Sequence, residues 1–356
     1  MMKERESNIE LLRILATLGV ITLHINLKIL PMIPFNSVQS KILYIGESLT
    51  IGSVNVFLLI SGFFLGKANK RSLWKPIEMI IELIIIKISF YAVSCILGTQ
   101  AFCIQNFLFA LIPNNYYVIF YVVLYVISLY MNEATRYLSE REFRSLIIIL
   151  IFLFSIWPSM VDVAGDLLGK SIDNLSSVTR EGSAYGYNIV HFSVMYLIGS
   201  YFRNSPVSKK TLFLYALIFF MIAVVYFLAR FAHRGTGFRL GTEFSYCNPV
   251  IVFLSISIFL LFTKLKIKNN RAINRMAKAS YTVYLTHPWF LRRFPLERIA
   301  HFSPIMMVVA LTAVVISVFL VCWVLHELWN WSTKKAFYCL EKRSLFLLIE
   351  DKNGCK

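Results

Sequence analysis

The feature that most constrains this chain is a succession of apolar runs of about 17 to 25 residues, separated by short polar stretches. That is the length a helix needs to cross a hydrocarbon layer about 30 Å thick. Inside such a layer every backbone N–H and C=O must be paired within the protein, so each run reads as a helix. Composition supports this at one point: only 15% of the 356 residues are charged and 58% are hydrophobic, whereas a soluble domain carries roughly 25% charged residues. A chain of this kind cannot cover itself with a water-compatible surface.

The expected fold is therefore all-α, a polytopic membrane bundle of about ten transmembrane helices. They are placed at about Ile9–Leu30, Ser48–Gly66, Ile77–Gly98, Asn115–Met131, Ser145–Val161, Tyr187–Phe202, Thr211–Ala229, Cys247–Thr263, Ala277–Leu291 and Pro304–Trp331. The stretch from Gln100 to Pro113 is apolar but too short to span, which predicts an interfacial or re-entrant segment. Residues 1–340 form one membrane domain and 341–356 a short cytoplasmic tail, with no soluble esterase-like domain expected after it. The first run is retained as a helix, because Glu4, Glu6 and Glu10 lie at its start, Arg13 interrupts it and no small-residue cleavage site follows. Six cysteines without a CxxC pair or regular spacing argue for neither a zinc site nor a disulfide framework, and no metal is expected.

A net charge of +17 would suit a nucleic-acid binder, but no long soluble stretch exists to concentrate it on one face, so no nucleic-acid partner is expected. The charge instead reports orientation. With the N-terminus inside, 24 Lys and Arg fall in inner segments and 10 in outer ones, and the remaining two are Arg13 and Lys87. Both ends are then cytoplasmic by the positive-inside rule. Six of the ten outer charges sit in two stretches, Arg230 to Arg239 and Arg292 to Arg298. They read either as snorkelling side chains at lipid headgroups or, through Arg234, Arg239, Arg292 and Arg293, as a basic mouth for an anionic acceptor.

An ionisable residue within a spanning helix costs several kcal/mol and defaults to a functional hypothesis. Arg13 and His24 are eleven residues apart, a rotation of roughly 1100°, so both lie on one face and are separated along the axis by about 16 Å. Arg13 sits toward the inner face and His24 well toward the outer one. A guanidinium offers a permanent charge and a planar fork for phosphate, and a neutral imidazole can take a proton from a hydroxyl. The pair thus suits a long substrate with an anionic head and a reactive far end. Snorkelling for Arg13 and a buried structural bond for His24 remain the bland alternatives.

Four ordered segments then carry a family resemblance. IELLRILATLGVITLH, containing Arg13 and His24, resembles the first helix of the acyltransferase-3 family of bacterial integral membrane acyltransferases. VNVFLLISGFFLGK (Val54 to Lys67), YYVIFYVVLYVISLYMN (Tyr116 to Asn132) and SYTVYLTHP (Ser280 to Pro288) are similar to later segments of that family in the same order. The resemblance implies transfer of an acyl group, usually acetyl, from acetyl-coenzyme A to a hydroxyl of a cell-surface polysaccharide or its lipid-linked precursor. It implies a multi-pass protein of the bacterial cytoplasmic membrane whose partners are acyl-coenzyme A, surface carbohydrate and membrane lipid. It assigns Arg13 to donor binding and His24 to catalysis.

The family often has an arginine pair, two residues apart, after its second helix, whereas this loop reads KANKRSLWKP. Lys70, Arg71 and Lys75 keep the charge, with part of the fork lost, and are expected beside donor phosphates. His287, before Pro288, is expected to hydrogen-bond across the bundle and hold a kink. Ser61, beside Gly62, is expected to allow close helix packing. Glu78, Glu82, Glu243 and Glu327 are candidates to orient His24. A transporter or flippase is the rival from another class.

Overall fold

A computed structural model describes residues 6–66, 71–169, 188–204, 212–236, 245–343 and 348–349. The described chain is a bundle of fifteen α-helices. A single antiparallel pair of two-residue strands, β1 (Arg71–Ser72) and β2 (Leu348–Ile349), joins the segment before α4 to the C-terminal segment. The helices are α1 (Ser7–Ile29), α2 (Val38–Thr50), α3 (Ser53–Leu65), α4 (Trp74–Ile96), α5 (Ile104–Leu111), α6 (Tyr116–Arg136), α7 (Glu140–Ile151) and α8 (Trp157–Leu168). They continue as α9 (Ile189–Asn204), α10 (Leu212–Thr236), α11 (Pro249–Lys264), α12 (Arg271–Lys278), α13 (Ser280–Leu291), α14 (Leu296–Ala300) and α15 (Pro304–Arg343).

Every one of the ten expected regions contains a helix. Seven segments among the described residues are long and apolar enough to cross a membrane: Ser7–Met32, Val38–Leu65, Trp74–Ile96, Ile104–Arg136, Glu140–Gly165, Phe213–His233 and Pro304–Thr333. The other three expected spans are shorter helices, of 16 residues in α9 and α11 and 12 in α13. At about 1.5 Å per residue these fall short of a 30 Å crossing. The second span begins ten residues earlier than expected, because Ser37 caps α2 by accepting from the Ser40 N–H. The short apolar stretch becomes α5, whose last carbonyls are held by Lys87. The Lys87 ammonium donates to Phe109 O at 3.1 Å, Ile112 O at 2.5 Å and Asn114 Oδ1 at 2.7 Å, which accounts for a cation within α4. One span contains a π-helical turn at Phe152–Ile156.

Helix α1 runs through the middle and touches α2, α3, α11, α12, α13 and α15. Its residues Ile9, Leu12, Ala16 and Val20 enter one apolar core, built with α3, α9 and α11. Ile14, Ile21, Ile25 and Ile29 enter a second, built with α13, α14 and α15. At about 100° per residue these are two stripes on different sides of one helix, and Arg13 and His24 fall together in the seam between them. Helices α3 and α9 approach most closely through glycine: a Cβ on Gly62 would strike the Tyr196 carbonyl, and one on Gly199 the Leu59 carbonyl. Gly62 therefore performs the packing role expected of Ser61 and Gly62 jointly.

Candidate active site

The seam opens into a cavity of about 710 Å³. Arg13 and Val20 of α1 line it, and His24, one turn beyond Val20, continues the same helical face without lining the cavity itself. Arg13 does not snorkel outward. Its guanidinium bonds Glu10 Oε2 at 2.9 Å, a carboxylate almost wholly buried, and lies 5.7 Å from the Phe64 ring centre. Glu10 takes one of its five N–H groups, and the side chain lines the cavity.

The opening carries more positive charge: Lys75, Arg275 and Lys278 are lining residues. Lys75 pairs with Glu78 at 2.9 Å. Arg275 makes a two-pronged pair with Glu327 at 2.8 and 2.9 Å, tying α12 to α15, and the carboxylate raises its already high pKa. One side of the cavity is aromatic. Tyr117 stacks on Tyr121 with ring centres 6.0 Å apart and meets Tyr284 at 4.9 Å. Ser61 belongs to this wall, since its hydroxyl donates to Phe57 O at 2.8 Å and sits 3.3 Å from the Tyr121 hydroxyl.

Beside the aromatic wall a polar chain crosses three helices. Thr282 Oγ1 lies 2.6 Å from Glu82 Oε1 and 2.7 Å from His326 Nδ1, and Asn330 Nδ2 lies 2.8 Å from His326 Nε2. A hydroxyl has one proton to give. If Thr282 donates to Glu82, then His326 donates through Nδ1 to Thr282 and accepts from Asn330 through Nε2. One neutral tautomer satisfies every member. His326 and Asn330 face the cavity. Glu82 is thus committed to Thr282, Glu78 to Lys75 and Glu327 to Arg275, and among the described residues no carboxylate bonds to His24.

His24 is exposed on the bundle and meets His287 edge to face, with ring centres 4.9 Å apart. His287 Nδ1 bonds Val283 O, four residues earlier in its own helix, at 2.9 Å. Its Nδ1 is thus spent within its own helix. Lys28, a turn beyond His24, feels the charge of Arg292, which is exposed at the end of α13. Arg293 is engaged otherwise, its guanidinium 3.1 Å from the Trp289 ring centre and donating to Trp289 O at 2.8 Å. Arg230, one of the outer charges, belongs to a buried pair with Glu47 at 3.0 Å, so it is part of the packing of α10 on α2 rather than of a basic mouth.

Lys70, Arg239 and Glu243 lie outside the described residues, as do the side chains of Arg71 and Arg234. By sequence alone Arg275 and Lys278 are topology charges, and Tyr117, Tyr121, Tyr281, Thr282 and Asn330 carry no signal that sets them apart. Nothing in spacing distinguishes a tyrosine that walls a cavity from one that faces lipid. Ser280 to Pro288 was a legible motif, yet Thr282 within it gains its partners only from α4 and α15.

A bundle with these spans and an internal, cation-rimmed cavity defines a multi-pass membrane protein. A family model described as an acyltransferase domain matches residues 6–327, nearly the whole chain, and the protein belongs to the acyltransferase-3 family. It is a membrane acyltransferase. No curated protein and no solved structure matches it.

Proposed function

We propose that this protein transfers an acyl group, specifically acetyl, from acyl-coenzyme A to a hydroxyl of a cell-surface polysaccharide or its lipid-linked precursor, in the bacterial cytoplasmic membrane. The observation that carries this is the inward turn of Arg13 into a cavity with a cationic rim, whose α1 wall leads toward His24. Lys75, Arg275 and Lys278 attract the nucleotide phosphates from the cytoplasmic side, supported by Lys70 and Arg71 of the adjoining loop. The fork of Arg13 binds phosphate. The pantetheine arm then extends past Val20 and the tyrosine wall, and the thioester is delivered to the level of His24.

On the outer side Arg292 and Arg293, with Arg234 near the end of α10 and Arg239 beyond it, receive an anionic acceptor. His24 removes the proton from the acceptor hydroxyl as its oxygen attacks the thioester carbonyl. The C–S bond breaks, the ester forms, and the proton passes to the departing thiolate, so that ester and free coenzyme A are the products. Thioester to ester exchange needs little driving force, so positioning supplies most of the acceleration.

The test is acetyl transfer by the purified protein in nanodiscs, supplied with labelled acetyl-coenzyme A and surface polysaccharide. Label in the polysaccharide, with equimolar free coenzyme A, is the expected result. Accumulation of a solute in sealed vesicles without any acetylated product would overturn the proposal.

A further inference from the structure

His24 has a free edge and an occupied one, and the occupied edge meets a histidine with a single unmet need. His287 is buried, and its Nδ1 is spent on the Val283 carbonyl. A carbonyl only accepts, so Nδ1 carries the proton and Nε2 of the neutral ring is an acceptor. That Nε2 is buried and has no hydrogen-bond partner among the described residues. Among the described residues, the ring packed against it from another helix that carries an N–H is His24, 4.9 Å away centre to centre at an interplanar angle of 63°. Two imidazoles joined by a hydrogen bond of about 2.9 Å have their centres about 5 Å apart, so a small rotation of the exposed His24 ring closes the bond. The charges around His24 add a reason for it. Lys28 on the same helix, with Arg292 beyond it, is positive, and no described carboxylate bonds to His24. An imidazolium formed there needs an acceptor, and His287 Nε2 is the lone pair at hand.

We propose that His287 is the positioning residue for His24: its Nε2 accepts the His24 N–H, leaving the opposite nitrogen of His24 as the lone pair that faces the acceptor hydroxyl. The proposal rests on His24 acting as general base. When His24 takes the hydroxyl proton on its free nitrogen, the N–H on the other side strengthens its bond to His287. The proton taken up later leaves to the coenzyme A thiolate, so His24 and His287 end each cycle as they began. The covalent step is unchanged; His287 sets which nitrogen performs it. Histidine is suited to this position because Val283 fixes its tautomer from behind.

The direct measurement is ¹⁵N solid-state NMR of histidine-labelled protein in lipid, which reads the tautomer of each ring and any coupling across an N–H···N bond. A single tautomer for His24 and a coupling to His287 are expected in the unsubstituted protein. In His287→Leu, which fills the space and accepts nothing, His24 should populate both tautomers, and kcat should fall about 10- to 100-fold with the KM for acetyl-coenzyme A unchanged. His287→Gln, whose Oε1 can take the place of Nε2, should restore most of kcat. Absence of the coupling in the unsubstituted protein, or full kcat in His287→Leu while His24→Ala is inactive, overturns the positioning role. Activity retained by His24→Ala overturns the general-base reading instead, and the coupling still reports whether the two rings are bonded.

Discussion

Arg13 does two jobs that substitution can separate. It neutralises Glu10, whose carboxylate is 4% exposed, at 2.9 Å, and its side chain lines the cavity. Removing one partner of a fully buried ion pair costs about 3 to 5 kcal/mol. Arg13 keeps 24% of its side chain exposed, so Arg13→Gln should cost less, about 2 kcal/mol of stability. Losing one charge-assisted contact to phosphate should cost another 1.5 to 3 kcal/mol of donor binding, roughly 10- to 150-fold in Kd. A single substitution mixes the two effects. The double variant Glu10→Gln with Arg13→Gln removes the buried carboxylate together with its guanidinium and should recover most of the thermal stability while keeping the full loss of donor affinity. Glu10→Gln alone should bind donor at least as tightly as the unsubstituted protein, since the guanidinium is released to the cavity. The assay is calorimetric titration of coenzyme A into each variant in nanodiscs, with unfolding followed in parallel. If the double variant binds coenzyme A as tightly as Glu10→Gln, Arg13 is a structural partner of Glu10 and no part of the donor site.

His24→Ala should reduce transfer by about 10²- to 10⁴-fold with donor affinity unchanged, as single-turnover measurements would show, since a general base contributes to rate and little to ground-state binding. Thr282→Val keeps the shape but cuts the chain between Glu82 and His326; a loss of about 1 to 3 kcal/mol is expected in thermal unfolding, and an unchanged transition would mean the chain is not held in solution. Arg292→Gln should weaken use of an anionic acceptor more than Arg293→Gln, because the Arg293 guanidinium is already stacked on Trp289; equal effects on acceptor KM would refute the distinction. Gly62→Ala should destabilise by about 1 to 3 kcal/mol through overpacking against the Tyr196 carbonyl. Gly46→Ala, whose added carbon would meet nothing nearer than 3.8 Å, should be neutral or slightly stabilising in the same assay.

The lipid-facing architecture was legible in the chain because it follows from one-dimensional quantities. Run length sets a span, and helical period places Arg13 and His24 on one side of α1. The two stripes of α1, at Ile9, Leu12, Ala16 and Val20 and at Ile14, Ile21, Ile25 and Ile29, leave a seam for those two residues, as the spacing requires. Four short segments in order were enough to indicate the family. What the chain alone left open is everything decided between helices. Glu82, Glu327 and Glu78 were equivalent candidates to support His24 until packing gave each a different partner, Thr282, Arg275 and Lys75. Arg275 and Lys278 read as topology, yet the turn of α12 against α1 makes them the cavity rim. Arg230 and Arg292 were alike as outer charges, and one is locked to Glu47 while the other stays exposed. The physical reason is the same in each case. Period and length act along one helix, but a hydrogen bond forms only within about 3 Å, and which side chains from α1, α4, α13 and α15 come that close is set by how the helices pack.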